Sequence, residues 1–335
     1  MSTTPRVGII VLNWNNTQDT LECLASVVAS DYPDINPIVV DNGSDDFPEV
    51  LIRQRFPAVQ IARQRFNRGY AGGNNVGIEL ALRADAEFVM LLNNDAVLAP
   101  DAVGRLIDAA TRHVNAGFLT PRIIVHGTDS VYWDGGIVDW STGDVEHGSA
   151  RLHSVEPRIL ESAWSNGCAP LVRAKTIADI GLMDESLFLY YEDVDWSARA
   201  SRSGWKHLVV LDAVCWHKVS RSTGGAHGPL GFFYYARNRY RILREHNDYY
   251  RSYRGVLRYG ARLLRDYYRH RRDREIRRAI VEAAVALVRK RWGARHPVGG
   301  RTLTVFDAIL VVIAGSLSGL KAALVMLRRK SNRVT

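Results

Sequence analysis

Through the first hundred residues, apolar runs alternate with amphipathic stretches and short polar clusters. Residues 7–12 (VGIIVL) are β-branched and uninterrupted, the pattern of a strand buried on both faces. Residues 17–29 carry Leu21, Leu24, Val27 and Val28 at helical spacing. A second strand over 36–40 runs into Asp41-Asn42-Gly43-Ser44, a cluster of turn formers. The pattern continues with a strand at 60–63, a helix at 73–83 and a strand at 88–92 that stops at Asn93-Asn94-Asp95. Strand and helix in alternation predict an α/β fold, a mostly parallel sheet flanked by helices. Ligands of such sheets bind beyond the carboxyl ends of the strands. The polar clusters at 13–16, 41–46 and 93–95 all fall there.

After residue 100 the pattern loosens into a Trp- and Gly-rich stretch over 132–148. It changes again near residue 231. Residues 252–268 are apolar at 253, 256, 257, 260, 261, 264, 267 and 268, and 276–292 at 276, 280, 284, 287 and 288. Each set is one helical face, with arginines opposite. The expected organisation is an α/β domain over 1–230 and a basic, amphipathic, helical region over 231–335. Residues 305–327 are mostly apolar, but Asp307 and Lys321 leave only thirteen uncharged residues between them. A spanning helix needs about twenty, so interfacial attachment or a partner-facing helix is the better expectation.

Charge sharpens this division. The chain of 335 residues carries a net +9, yet 237–301 alone hold twenty Arg and Lys against six Asp and Glu. That local excess of +14 leaves −5 for everything else, a slightly acidic body with a basic C-terminal region. Such a region suits an anionic lipid surface or a phosphorylated acceptor. No aromatic-basic recognition motif and no zinc spacing accompany it, so nucleic acid is not the expected partner. The three cysteines, Cys23, Cys168 and Cys215, are far apart in sequence, which supports neither a disulfide framework nor a cysteine metal site and fits a reducing cytoplasm. The first residues run into a strand without the pattern of a signal peptide.

Several clusters could carry chemistry. Asp95 at a strand end can hold a divalent cation that neutralises a diphosphate leaving group; the plainer role is a polar turn. Asp41 either serves a ligand or closes an Asx turn. Residues 67–77 (NRGYAGGNNVG) pack glycines and amides into a loop leading to a helix, a setting that favours phosphate, without matching the Walker or GxGxxG spacing. Glu192, Asp193 and Asp195 follow an aromatic run at 188–191. Burial there would raise a carboxyl pKa towards general-base work, and the alternative is a solvated helix start. His217 would complete a cation shell with Asp95, a donor pair suited to manganese, or else serve as a structural hydrogen-bonder.

Seven segments in order (VGIIVLNWNN, IVVDNGSDD, NRGYAGGNNVGI, MLLNNDAVL, WSNGCAPLVRA, FLYYEDVDWSARA and WHKVSRSTGG) resemble glycosyltransferase family 2, in its bacterial rhamnosyltransferase-like branch. The resemblance spans roughly residues 5–245. It implies a GT-A fold for 1–230 and an inverting transfer of a sugar from a nucleotide-sugar donor, with dTDP-rhamnose foremost. A UDP-sugar such as UDP-galactofuranose, or a non-catalytic nucleotide-sugar-binding subunit, is the alternative. By resemblance, Asn13 and Asp41 contact the donor's base and ribose, and Asn67, Gly69 and Asn74 line the nucleotide loop. Asn93-Asn94-Asp95 stands where relatives have Asp-x-Asp, so Asp95, beside Asn93, binds Mn2+ or Mg2+ and the diphosphate, with His217 completing the shell. Asp193 matches the catalytic base, with Glu192 and Asp195 as lesser candidates, and residues 164–167 form part of the acceptor site. The implied acceptor is a cell-envelope glycan or a polyprenyl-diphosphate-linked sugar. The implied location is peripheral, at the cytoplasmic face of the cell membrane, through the basic helices; a homodimer is the other use for them.

Overall fold

The computed structural model describes residues 4–219 and 228–295. The chain divides into two compact units, Met1–Asp139 with Asp144–Gly225, and Trp140–Gly143 with Ala226–Thr335.

The first unit is built on one sheet. Its parallel half alternates β1 (Val7–Asn13), α1 (Thr17–Val28), β2 (Ile35–Asp41), α2 (Glu49–Arg55), β3 (Gln60–Arg63), α3 (Gly69–Arg83) and β4 (Phe88–Asn93), with β3-β2-β1-β4 side by side. Val7, Ile9, Ile10 and Val11 have no exposed surface, which is why β1 reads as a continuous apolar run. Helix α3 lies close against it: a Cβ on Gly77 would stand 2.9 Å from Ile10 Cγ1. Ile38, Ile78, Val89, Phe118 and Trp196 join Ile10 in the core.

The second half of the sheet follows: β5 (Ala96–Leu98), α4 (Ala102–Arg112), β6 (Ala116–Val125), β7 (Val131–Trp133), the separate hairpin β8 (Gly136–Asp139) and β9 (Asp144–His147), then β10 (His153–Glu156), β11 (Ile159–Ser162), β12 (Leu171–Arg173), α5 (Ala174–Ile180), α6 (Glu192–Arg202) and β13 (Lys206–His217). The sheet order is β10-β11-β13-β6-β12-β4-β1-β2-β3, with β5 on β13 and β7 on β6. β12 enters antiparallel to β4, and only β13 with β6 restores parallel pairing on this side. The sheet is therefore parallel in one half and mixed in the other.

Two registers position the site. Asn13 pairs with Asp41, and Leu12 with Asn93, so three strand ends stand abreast. β5 then turns back beside the far end of β13, pairing Ala96 with His217.

In the second unit, α7 (Pro229–His246), α8 (Tyr253–Arg269) and α9 (Arg274–Val288) surround Leu243, Tyr250, Tyr259, Leu263, Ile276 and Ile280. The apolar face read for α9 joins this core through Ile276, Ile280 and Ala284, whereas α8 turns Tyr259 and Leu263 inward and leaves Leu257, Ala261 and Tyr268 of the face read from the sequence exposed. Ser252 Oγ accepts from the Gly255 N–H at 3.2 Å and Asp273 Oδ1 from the Ile276 N–H at 3.0 Å, capping α8 and α9. Among the described residues no helix is long and apolar enough to cross a membrane. The apolar stretch at 305–327 lies outside them.

Candidate active site

At the parallel strand ends, Asn13 and Asp41 hold each other. Asn13 Nδ2 donates to Asp41 Oδ1 at 3.2 Å and to Ser44 Oγ at 3.1 Å, and its Oδ1 accepts from Thr20 Oγ1 at 2.8 Å. Asp41 has no exposed surface, and Arg63 Nε approaches its Oδ2 at 3.4 Å. Both residues thus support the turn that follows β2, and half-exposed Arg63 pairs with buried Asp41.

The segment 67–77 departs from its expected form. Helix α3 begins at Gly69 instead of residue 73, so Gly69 and Asn74 belong to its first turns and not to a loop. The Gly69 N–H donates to Asn67 Oδ1 at 2.7 Å, and Asn74 Nδ2 donates to the Tyr70 carbonyl at 3.0 Å. Asn42, which the sequence gave no role beyond a turn, ties this helix start to β2. Its Nδ2 donates to Asn67 Oδ1 (3.1 Å) and the Gly69 carbonyl (3.0 Å), and its Oδ1 accepts the Arg68 N–H (3.0 Å). Gly69 needs to be glycine: its φ is +75°, and a Cβ there would lie 2.6 Å from Phe188 Cγ.

Asp95 and His217 meet, as their chemistry anticipates. His217 Nε2 stands 3.0 Å from Asp95 Oδ1, both groups are buried, and Asn93 Nδ2 lies 3.5 Å from the same ring nitrogen. Two donors at right angles on an octahedral ion with bonds of about 2.1 Å stand about 3.0 Å apart, so the pair fits one edge of a divalent cation's shell. The other ring nitrogen, His217 Nδ1, is buried without a hydrogen-bond partner. Lys218, next in the chain, is bound by Asp19 and Glu22, both at 2.6 Å, and its N–H donates to the Asp95 carbonyl. Cys23, Cys168 and Cys215, remote in sequence, are free thiols buried close by. Burial, with Cys215 and Asp95 as neighbours, pushes the first two well up.

The carboxylate cluster opens α6. Phe188, Tyr190 and Tyr191 lead into it at φ of 67°, 65° and 71°, the left-handed region that large side chains avoid. Two contacts fix this segment on α3: the Tyr70 N–H donates to the Phe188 carbonyl at 2.6 Å, and Arg68 pairs with Glu185 at 2.7 Å. The helix start is not solvated, since Glu192 and Asp195 are buried. Asp195 pairs with Arg199 at 2.8 Å. Glu192 Oε2 is buried with no partner; burial and then the charge of Asp193 hold its carboxyl well above the usual range. Asp193 is half-buried. Its Oδ2 accepts from the Gly167 N–H at 3.1 Å and its Oδ1 from the Val194 N–H at 2.8 Å. Burial pushes its pKa from 3.8 to about 6, against the opposing pull of those N–H donors. Of the three acids, Asp193 combines access with ionisation near neutrality.

Residues 164–167 reach this carboxylate through Gly167, whose carbonyl also accepts a hydrogen bond from the Tyr70 hydroxyl. The sequence singled out neither Tyr70 nor Tyr132. The Tyr132 ring packs edge-on against His217 (5.5 Å between centroids) and His147 (5.7 Å). Burial, then the nearby Cys168, Tyr190, Asp193 and Asp95, raises its hydroxyl to about 12. Tyr132 thus packs against His217 and lies within electrostatic reach of both Asp95 and Asp193.

Residues 8–157 match the profile described as Glycosyl transferase family 2. The chain is 28% identical over 229 residues to an N-acetylglucosaminyl-diphospho-decaprenol L-rhamnosyltransferase of Mycobacterium tuberculosis, covering 60% of this chain and 72% of that one. The fold is similar to that of GalNAc-T7 with UDP, GalNAc and Mn2+ (16% identity, TM-score 0.56), over 67% of this chain and 45% of that one. It is also similar to a mannosyltransferase from Pyrobaculum calidifontis in complex with GDP-Man and Mn2+ (14% identity, TM-score 0.51), over 99% and 81%. Residues 8–157 are thus those of a Glycosyl transferase family 2 domain, set in a fold similar to GT-A glycosyltransferases.

Proposed function

We propose that this protein is a metal-dependent, inverting transferase that moves L-rhamnose from dTDP-rhamnose to a hydroxyl of a cell-envelope glycan or a polyprenyl-diphosphate-linked sugar. The observation that carries the reading is the juxtaposition of buried Asp95 and His217, 3.0 Å apart, together with an Asp193 carboxyl held by the Gly167 and Val194 N–H groups. The relative acting on N-acetylglucosaminyl-diphospho-decaprenol favours rhamnose as the sugar and a lipid diphosphate as the acceptor's carrier.

The chain's own groups divide the work. Asp95 and His217 would hold Mn2+ or Mg2+, which supplies positive charge to the departing diphosphate. Asp193, largely ionised at neutral pH, accepts the proton of the acceptor hydroxyl. As that oxygen bonds to the anomeric carbon, the bond from carbon to diphosphate breaks and its electron pair leaves with the nucleoside diphosphate. A single displacement inverts the centre and needs no covalent nucleophile. The Gly167 N–H and the Tyr70–Gly167 contact keep Asp193 aimed. Asn13, Asp41, Asn67, Gly69, Asn74 and Asn93 shape the donor side of the cleft.

Calorimetric titration with dTDP, UDP and GDP, with and without Mn2+, tests this. The expected result is Mn2+-dependent binding of dTDP, weakened at least tenfold by Asp95→Ala or His217→Ala. Preference for UDP would replace the donor, and binding indifferent to Mn2+ would remove the metal from the mechanism.

A further inference from the structure

The two faces of α8 have different fates. Tyr259 and Leu263 are buried in the core of the second unit, so the apolar face is consumed within the fold. The opposite face carries Arg254, Arg258, Arg265 and Arg269, all exposed. Between them lie exposed Ala261, Leu257 (40% exposed) and Tyr268 (60% exposed). At 3.6 residues per turn, these positions fall within an arc of about 120° along about 22 Å of helix.

No acid stands in this stripe. Asp266, the single acidic residue of α8, lies on another side and approaches Arg262 at 3.9 Å. Other arginines of the unit do find acids: Arg241 pairs with Glu245, and Arg278 and Arg295 with Glu282. Arg254, Arg258, Arg265 and Arg269 have no hydrogen-bond or ion-pair partner among the described residues. Four unmatched guanidinium groups on one face repel one another and are neutralised best by a continuous negative surface.

We propose that this face of α8 docks the protein on an anionic phospholipid surface, its arginines meeting headgroup phosphates while Leu257 and Tyr268 enter the interface. Guanidinium forks match phosphate oxygens, and an aromatic with a polar tip suits the headgroup level. The contact differs from that of an ordinary amphipathic surface helix, because the apolar face stays in the core and the polar face does the binding. A second copy of the chain is a poor occupant, since a two-fold contact here would set arginine against arginine. Nucleic acid would satisfy the charges but gives Leu257 and Tyr268 no apolar environment.

The full-length protein would be sedimented with vesicles of equal parts phosphatidylglycerol and phosphatidylcholine, and with pure phosphatidylcholine vesicles. Each basic residue near an anionic surface is worth about fivefold in partitioning, so Arg258→Gln with Arg265→Gln should weaken binding to the anionic vesicles about 25-fold. Salt near 0.5 M, where the screening length is about 4 Å, should release most of the protein. Leu257→Ala with Tyr268→Ala should remove the binding that survives salt. Circular dichroism checks that each variant is folded. Equal binding to neutral vesicles, no binding to anionic ones, or binding unchanged by the arginine substitutions would overturn the proposal. So would failure to bind vesicles while the same substitutions abolish binding to single-stranded RNA. None of these outcomes depends on the donor sugar, so this inference and the catalytic reading fail separately.

Discussion

Replacing Asp193 by asparagine should make the protein more stable at neutral pH while removing its activity. The carboxyl titrates near 3.8 in an unfolded chain and at about 6 in the fold, because burial penalises its charged form. Between these values the native state binds a proton that the unfolded state has lost. The carboxyl's favourable contribution is therefore complete below pH about 4 and is lost as pH rises through 6. A shift of about 2 units corresponds to about 3 kcal/mol. Asparagine has no charge to bury, but it offers only one acceptor to the N–H groups of Gly167 and Val194, a loss of about 1 kcal/mol at every pH. Urea unfolding of both proteins at pH 4.5 and pH 8 reads the difference. The variant should be slightly less stable or equal at the acid end and more stable by about 2 kcal/mol at the alkaline end. In parallel, wild-type kcat/KM should fall about tenfold per pH unit below 6, where the base is protonated. A stability difference that stays constant across this range would refute the burial argument, and near-normal turnover by the asparagine variant would refute the base assignment.

Gly69→Ala should destabilise the fold by about 2–4 kcal/mol, from a left-handed backbone angle combined with collision against Phe188, and thermal unfolding measures this. An unchanged melting temperature would mean that the Phe188 segment yields freely. Tyr132→Phe should keep transfer within a few-fold, because the ring against His217 and His147 remains, whereas Tyr132→Ala should lower kcat/KM about 10- to 100-fold by loosening both halves of the site. Equal losses in the two variants would assign the role to the hydroxyl instead.

The parallel half of the sheet was legible because β1, β2 and β4 are buried on both faces and written as unbroken β-branched or apolar runs; each was read to within a residue or so. Helix α9 was legible from a single apolar face; α8 was read as a helix, but its buried face was misplaced, because Leu257, Ala261 and Tyr268 stay outside while Tyr259 and Leu263 pack inward. Strands β5 to β12 mostly have three or four residues, too few for a period to register, so the mixed half of the sheet was not read. The early start of α3 was missed because glycines and asparagines normally mark a loop, and only the Asn67 side chain, bonding the Gly69 N–H, turns that composition into a helix start. Asp95 and His217 were paired from their chemistry, and the β5–β13 register supplies the physical means. Tyr132 and Asn42 carried no local signal. Their roles arise from neighbours 85 and 25 residues away, His217 and Asn67, which no motif connects to them.

The three left-handed aromatics before α6 bear on how this protein could change. Each costs of order 1 kcal/mol or more that glycine or asparagine would not incur, and the cost is borne next to Asp193, the residue proposed to take the acceptor's proton. A library screened for heat resistance alone should therefore enrich small residues at 188, 190 and 191. One screened for turnover should retain the bulky ones, because Phe188 packs at Gly69 and Tyr190 lies near Tyr132. In this segment the demands of endurance and of speed pull on the same three positions, so it is where improved variants would have to choose between them.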